Sequence, residues 1–310
     1  MRCCSCADRF GLEVYMHFFI LAFLSAFMRN ICNKEFTKRF TAGETNMFYQ
    51  AITLTVTCFF SAVAGGMHAP NTLFLIMSTI YAVVFVATVY LMIVCYAKGP
   101  MALVSLVLSM SSIVPVLVGL IGFREEMNLF KGIGLVCAFT VLILSWRDGE
   151  AKSGKKKYKY ISPKVWLPVT LLTMGLNGIL SSLQNMAVQW APNGNSMIFN
   201  FWSYLIGALI CWAILLIRKI GGQKFPEVVK APNSFTVLSL LSGAGCAGIN
   251  LLIMMALVYI PSSICYPLMS TVSTTSVFLL SLLYYKEGHS KFGYIMLVFS
   301  LVGILSFSFA

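Results

Sequence analysis

Residues 97–145 read AKGPMALVSLVLSMSSIVPVLVGLIGFREEMNLFKGIGLVCAFTVLILS, and residues 258–306 read VYIPSSICYPLMSTVSTTSVFLLSLLYYKEGHSKFGYIMLVFSLVGILS. The two stretches align in register without a gap. Matches between apolar residues mean little here, but aligned prolines, serines, acids and glycines are harder to obtain by chance. These pairs are Pro100 and Pro261, Ser109 and Ser270, Ser112 and Ser273, Glu126 and Glu287, and Gly132 and Gly293. Internal duplication in an apolar chain is typical of secondary transporters, whose halves enclose a site near the middle of the bilayer.

The composition predicts an integral membrane protein. Of the 310 residues, 59% are hydrophobic and 10% are charged, whereas a soluble domain carries about 25% charged residues. A chain of this composition cannot hide its apolar surface from water by folding on itself. The net charge of +12 does not indicate a nucleic-acid partner, because many of the Lys and Arg residues fall in one stretch, 147–164, beside predicted membrane spans.

Ten segments are long and apolar enough to cross a bilayer, which takes about 20 mostly apolar residues in a helix. In chain order, segments one to ten are 15–33, 46–64, 72–97, 100–123, 129–146, 165–187, 196–217, 234–257, 261–285 and 292–310. The expected fold is therefore all-α and integral to the membrane, with ten transmembrane helices. The predicted regions are a polar N-terminal tail at 1–14, a five-helix repeat at 15–146, a basic hinge at 147–164 and a second five-helix repeat at 165–310. Translation could begin at Met1 or at Met16, where the first apolar span opens.

Loop charges predict that the two repeats are inverted with respect to each other. The loop between segments one and two is basic, and its counterpart between six and seven has no Lys or Arg. The loop between two and three has none, and its counterpart between seven and eight is basic. An odd number of helices per repeat requires this inversion. By the positive-inside rule, the basic loops and the hinge are cytoplasmic, and both termini lie outside the cell membrane.

Several motifs resemble the EamA-type branch of the drug/metabolite transporter superfamily. They are Pro115-Val116-Leu117 with Phe123-Arg124-Glu125-Glu126 and Gly132-Ile133-Gly134, Tyr284-Tyr285-Lys286-Glu287 with Gly293, and the passage from Asn250 through Pro261-Ser262-Ser263 to Pro267-Leu268. The resemblance covers nearly the whole chain and implies ten helices in two repeats that transport small organic metabolites or drugs. The family's usual Gly-Glu after the fourth helix reads Arg124-Glu125-Glu126 here. Many members of the family are also expected to have cytoplasmic termini, which conflicts with the loop charges.

Small polar side chains inside the predicted spans are the candidate substrate-binding residues. Segment four carries Ser105, Ser109 and Ser112 on one helical face, and the repeat aligns them with Tyr266, Ser270 and Ser273 of segment nine. Segment six carries Asn177, Ser181 and Gln184 at the same spacing, and segment eight carries Asn250. Two interpretations stay open: these stripes converge on a cavity that binds an organic solute, or they bond to each other and let helices pack closely. The proposed binding residues are Asn177, Gln184, Asn250, Tyr266, Ser270, Ser109 and Arg29.

Charged groups near the spans leave further alternatives. Arg29 lies about one turn from the end of segment one, where it could extend to the lipid headgroups or face a cavity and bind an anion. Glu126 and Glu287 end segments four and nine at repeat-related positions, which favours a structural or gating role. No acid lies in the centre of a span, and the one dense cysteine group, Cys3-Cys4-x-Cys6, has no second ligand pair or histidine nearby. We therefore expect no metal and no cofactor.

These features together predict a secondary transporter that moves a small organic metabolite or drug by alternating access. The chain has no phosphate-binding loop of the Gly-x-x-x-x-Gly-Lys-Ser/Thr type, so we do not expect it to hydrolyse ATP. A lipid or lipid-linked headgroup flippase is the alternative, because a polar groove could pass a headgroup. A membrane enzyme is a weaker alternative, since no catalytic cluster is evident. The expected partners are a small-molecule substrate and membrane lipid, without nucleic acid, and the sequence does not indicate an oligomeric state.

Overall fold

A computed structural model describes residues 4–40, 43–98, 101–112, 114, 129–153, 163–190, 196–222, 232–259 and 291–308, together with 266, 269, 277, 280 and 284. Within these residues the chain is helical and has no strand. The helices are α1 (Cys4–Arg39), α2 (Gly43–Ser61), α3 (Thr72–Lys98), α4 (Met101–Ser109), α5 (Leu129–Ser153), α6 (Pro163–Gln189), α7 (Met197–Ile220), α8 (Pro232–Tyr259) and α9 (Lys291–Ser308). A π-helical turn, Ala62–Gly66, follows α2, and a 3₁₀ turn, Met110–Ser112, follows α4.

Helices α1 to α8 correspond to segments one to eight, and α9 corresponds to segment ten. Two helices extend beyond their apolar segments. Helix α1 begins at Cys4, within the predicted tail, and α5 continues to Ser153, within the predicted hinge. Hydropathy marks only the apolar part of a helix, and the backbone hydrogen bonds continue where the side chains become polar. Most of segment nine lies outside the described residues.

Within the described residues, five helices are long and apolar enough to cross a membrane. They are Thr45–Gly66, Thr72–Lys98, Val165–Gln189, Met197–Ile220 and Ser234–Leu257. Shorter apolar stretches occur in α5 and α9, at Gly132–Val141 and Lys291–Gly303. These helices support the expected membrane protein, whereas the number of ten spans stays a prediction.

The outer surface of these helices is strongly apolar. Helix α3 exposes Leu73, Ile76, Ile80 and Val83, and α7 exposes Leu209, Leu216, Ile217 and Ile220. Contiguous apolar surface of this extent is unfavourable in water and is typical of contact with lipid tails. The inner faces of the same helices carry most of the buried polar residues described below.

The helices pack in a definite pattern of directions. Thr53 of α2 donates to the carbonyl of Ser239 and Thr57 donates to that of Gly243, so α2 and α8 run parallel. Helix α1 is antiparallel to α8, because Asn33 bonds to Ser242 whereas Ser25 contacts Gly248.

Helix α3 is antiparallel to α6 and parallel to α7. Tyr81 meets Gln184 and Cys95 meets Thr173, which gives the first direction. The aromatic contacts of Phe74 with Phe199 and of Phe85 with Tyr204 give the second. Helices α5 and α9 pack against each other at the side of the bundle.

Two glycines of α8 allow a close approach of α1. A Cβ atom at Gly245 would lie 2.8 Å from the backbone oxygen of Ser25 and 3.1 Å from Cβ of Arg29. A Cβ atom at Gly248 would clash with the side chain of Ser25. The backbones of α1 and α8 therefore touch, as small residues permit between membrane helices. This contact lies directly at Arg29.

We expect Gly245→Ala to destabilise the protein by about 1–3 kcal/mol, because the added methyl meets backbone atoms that cannot rotate away. The thermal unfolding midpoint of the purified protein in detergent measures the effect. Gly175→Ala on α6 is the control, since nothing lies within 4 Å of its added Cβ. That change should be neutral or stabilising by up to about 1 kcal/mol. Equal midpoints for the two variants would show that α1 and α8 separate without loss.

Candidate substrate-binding site

Two amide side chains predicted from the sequence meet in the interior of the bundle. Gln184 of α6 donates from Nε2 to Oδ1 of Asn250 on α8 at 2.8 Å, and to Oη of Tyr81 on α3 at 3.0 Å. Asn250 in turn donates to the carbonyl of Cys246, one turn earlier on α8, at 2.8 Å. Gln184 and Asn250 are both buried. The bonds tie three helices together at one point.

The other predicted residues of the α6 stripe contact different neighbours. Asn177 donates to Oγ of Ser111, just after α4, at 3.1 Å. The carbonyl of Ser181 accepts a hydrogen bond from the hydroxyl of Tyr266 at 2.8 Å. Asn177 lies seven residues before Gln184, which is roughly 10 Å along a helix. The stripe therefore faces the bundle along its length, but only Gln184 joins the Asn250 cluster.

Arg29 points into the bundle and not toward the headgroups. Its Cζ lies over the ring of Phe85 on α3, 5.9 Å from the ring centroid. Its electrostatic neighbours come from three further helices: Tyr49 on α2, Tyr204 on α7 and Cys246 on α8, with Tyr81 on α3 as well. The first of the two interpretations from the sequence, extension to the lipid headgroups, does not fit this position. The reason is the contact at Gly245, which holds the Cβ of Arg29 on the inner side of α1.

Arg29 and the amide cluster share neighbours. Tyr81 bonds to Gln184 and is an electrostatic neighbour of Arg29. Cys246 accepts a hydrogen bond from Asn250 and is also an electrostatic neighbour of Arg29. Arg29 is only partly buried even though helices on every side surround it. Arg29 therefore lies beside the amide cluster, within the same interior.

Aromatic rings form one wall of this interior. The rings of Tyr81 and Phe85 stack at 5.6 Å, and the ring of Phe85 meets that of Tyr204 edge-on at 5.4 Å. Phe199 packs edge-on against Tyr81 at 5.1 Å. All four side chains are buried. The sequence did not predict this wall, because aromatic residues in apolar helices also occupy lipid-facing and interfacial positions.

Helix α7 contributes buried polar groups that have no partner among the described residues. Both side-chain atoms of Asn200 and the hydroxyl of Ser203 lack a hydrogen bond, and the hydroxyl of Tyr204 has none of standard geometry. The three residues lie on one face of α7, because residues three and four apart are neighbours on a helix. Buried polar groups are almost always hydrogen-bonded, so unpaired ones indicate a role that packing does not explain. The signal in the sequence was Asn200 itself, an amide inside segment seven.

A second polar cluster lies between α1, α2 and α8, toward the face of the bundle predicted to be cytoplasmic. The Oδ1 atom of Asn33 accepts hydrogen bonds from Tyr49 at 2.9 Å and from Ser242 at 3.2 Å. Lys34 is buried beside it. Buried polar residues on α1 therefore continue from Arg29 toward this end of the bundle.

The remaining predicted residues are not located by the structure. The side chain of Ser109 and the whole of Ser270, Glu126 and Glu287 lie outside the described residues. Their roles stay predictions. Within the described part of the chain, no group of three or more His, Cys, Asp or Glu residues could hold a metal ion.

Comparisons with known proteins establish only the fold. No family model matches the chain, and no curated protein matches it. A solved crystal structure of a protein superposes with a TM-score of 0.56 at 13% sequence identity, over 92% of this chain and 97% of that one. The similarity therefore extends over almost the full length of both chains, and the helix arrangement is one that an experimentally determined protein also has.

We expect the Gln184 and Asn250 substitutions to be energetically coupled, since each leaves the other's polar atoms without a partner. In a double-mutant cycle with Gln184→Ala and Asn250→Ala, the coupling should be about 0.6–1.7 kcal/mol, the range for hydrogen bonds between membrane helices. Thermal unfolding in detergent provides the measurement.

The control cycle pairs Gln184→Ala with Thr140→Ala on α5, whose hydroxyl bonds within its own helix to the carbonyl of Val136. Its coupling should be near zero. A coupling no larger for Gln184 and Asn250 than for the control pair would contradict the bond between the two amides.

Proposed function

We propose that this chain is a secondary transporter that moves a small organic solute across the cell membrane by alternating access. One observation carries the proposal: the interior cluster is built from both predicted halves. Arg29 and Tyr81 belong to the first half, and Gln184 and Asn250 belong to the second. A polar site between two halves of a membrane protein is the arrangement expected when the halves move against each other around bound substrate.

The helix packing supports an inverted duplication. If the halves are equivalent, α1, α2 and α3 correspond to α6, α7 and α8. The contact of α2 with α8 then has its counterpart in the contact of α7 with α3, and both pairs are parallel. The contact of α1 with α8 has its counterpart in that of α6 with α3, and both pairs are antiparallel. These relations are independent of the aligned residues at 97–145 and 258–306.

The family proposal follows from the same features. Ten helices in two inverted repeats, with the motifs around Glu126 and Glu287, resemble the EamA-type drug/metabolite transporters. The full-length fold similarity is compatible with this assignment but does not identify a family. We include the inverted ten-helix organisation in the proposal, with the solute as the partner and no enzymatic activity of the chain itself.

The basic helix ends support one orientation in the membrane. Helices α1, α3 and α7 end in Lys38 and Arg39, in Lys98, and in Arg218 and Lys219. Helix α1 is antiparallel to α8, and α8 runs parallel to α2. Helix α2 is antiparallel to α7, because Thr55 bonds to Trp212 whereas Gly66 contacts Phe201, and α7 runs parallel to α3. The three basic ends therefore belong to one face of the bundle. We propose that this face is cytoplasmic.

Reconstitution into liposomes tests the transport function. Purified protein should take up or release members of a metabolite panel, measured with and without a pH gradient. Gln184→Ala and Asn250→Ala should each lower the rate about tenfold, because each removes the bond of about 1.4 kcal/mol between the two amides that holds α6 and α8 in place at the site. Ser182→Ala is the matched control, because its hydroxyl bonds within its own helix to the carbonyl of Gly178. Lipid scrambling without movement of any solute would overturn the proposal in favour of a flippase.

Single cysteines test the orientation. His68 is exposed after α2, and Gly221 is exposed after α7. In a cysteine-free background, His68→Cys should react with an impermeant thiol reagent added to intact cells. Gly221→Cys should react only after the membrane is permeabilised. The reverse pattern would refute the cytoplasmic assignment of the basic face.

A further inference from the structure

We infer that the transported solute is an organic anion whose carboxylate or phosphate group binds Arg29, and whose apolar part lies against the aromatic wall of Tyr81, Phe85 and Tyr204. This inference rests on the proposed transport function and specifies its substrate class. Such a solute needs a positive charge in the interior, hydrogen-bond donors without partners near that charge, and an apolar surface for its carbon skeleton.

Arg29 brings a positive charge into the interior of the described bundle. Arg29 has no hydrogen bond and no ion pair among the described residues, and its guanidinium lies over the face of Phe85. Among the acidic residues, only Glu35 has a described side chain. It forms ion pairs with Lys38 and Arg39 at the end of α1. An arginine among membrane helices is costly unless it is paired or hydrated, so such residues usually mark substrate or ion pathways. The described residues therefore supply no anion that neutralises Arg29.

The available hydrogen-bonding groups around Arg29 suit an acceptor. A guanidinium has five N–H donors and no acceptor, and its planar fork matches a carboxylate or a phosphate. The hydroxyl of Tyr204, an electrostatic neighbour of Arg29, has no hydrogen bond of standard geometry, and its own electrostatic partners include the hydroxyl of Tyr81. The donors of Gln184 are already used by Tyr81 and Asn250. An anionic oxygen therefore satisfies the unpaired donors, whereas an ammonium group would meet only like charge.

The surroundings also favour an organic anion over a bare inorganic one. The charged end of Arg29 lies over a ring, and two further rings continue from it in edge-on and stacked contact. Small-molecule sites are typically lined by such apolar and aromatic side chains, with a few polar groups that fix orientation. Arg29 therefore supplies the charge, and the rings supply a surface for the apolar part of the solute.

Binding to the purified full-length protein tests the substrate class. The probes are benzoate, succinate, phenyl phosphate, glycerol 3-phosphate and dihexanoyl phosphatidate, each compared with a neutral counterpart (benzamide, succinamide, phenol, glycerol and dihexanoylglycerol), and benzylamine as a cation. At least one anion should raise the thermal unfolding midpoint more than its neutral counterpart and should inhibit uptake in proteoliposomes. The carboxylate, phosphate-ester and lipid-phosphate arms distinguish the source of the anionic group.

Arg29→Leu separates a binding role from a structural one. The variant should bind the active anion roughly 10- to 100-fold more weakly, as expected for a lost charge-assisted contact, while its unfolding midpoint without ligand stays equal or rises. Arg29→Lys should retain part of the binding. Arg218→Leu is the matched control, because Arg218 is exposed at the end of α7, and it should leave binding unchanged.

Four results would refute the anion site. One is preferential stabilisation by the neutral compounds or by benzylamine, and another is unchanged anion binding by Arg29→Leu. The third is the absence of anion-specific stabilisation across the whole panel. Transport of neutral or cationic solutes by Arg29→Leu at the wild-type rate would refute the anion site and leave the transport function intact. Failure of the wild type to move any solute would refute the transport function itself.

Discussion

The backbone contact between α1 and α8 is the constraint on which the interior of this protein depends. Gly245 and Gly248 have no side chain, so α1 approaches until Ser25 and Arg29 touch the α8 backbone. That approach directs Arg29 across the bundle to Phe85. A larger residue at Gly245 would push α1 outward, and the guanidinium would then lose its place over the ring. Two missing side chains on one helix thus position a charge on another.

The polar groups of the interior fall into two sets: some bond to each other, and others have no hydrogen-bond partner among the described residues. Gln184, Asn250 and Tyr81 bond to one another, so the protein satisfies them without help from lipid or solute. Arg29, Asn200 and Ser203 are treated differently, because no described residue bonds to their side chains. Lipid tails cannot pair with such groups. The paired amides are suited to holding helices together, and the unpaired groups are suited to receiving something that comes and goes.

Several of these features could be predicted from particular residues. The apolar segments of the sequence predicted the positions of helices α1 to α9, because a helix that crosses a bilayer must be apolar over most of its length. Large amides in hydrocarbon are costly, and this alone marked Gln184 and Asn250 as a cluster or a site. Arg29 could not be assigned, since its distance from the helix end permits both a lipid-facing and an inward side chain. The aromatic wall and Asn200 were not predicted, because Phe, Tyr and Asn in apolar helices serve many purposes.

The sequence by itself therefore determined the class of protein, the positions of its helices and the inversion of loop charge between its halves. These properties depend on local composition, which acts on each segment separately. Only the tertiary structure decided which polar residues meet, that Arg29 faces inward, and that Tyr81, Phe85 and Tyr204 lie beside it. Those properties depend on how each helix is rotated about its axis and on how closely its neighbours approach. In an apolar chain, a few small residues such as Gly245 decide both, and their effect appears only once the helices are packed.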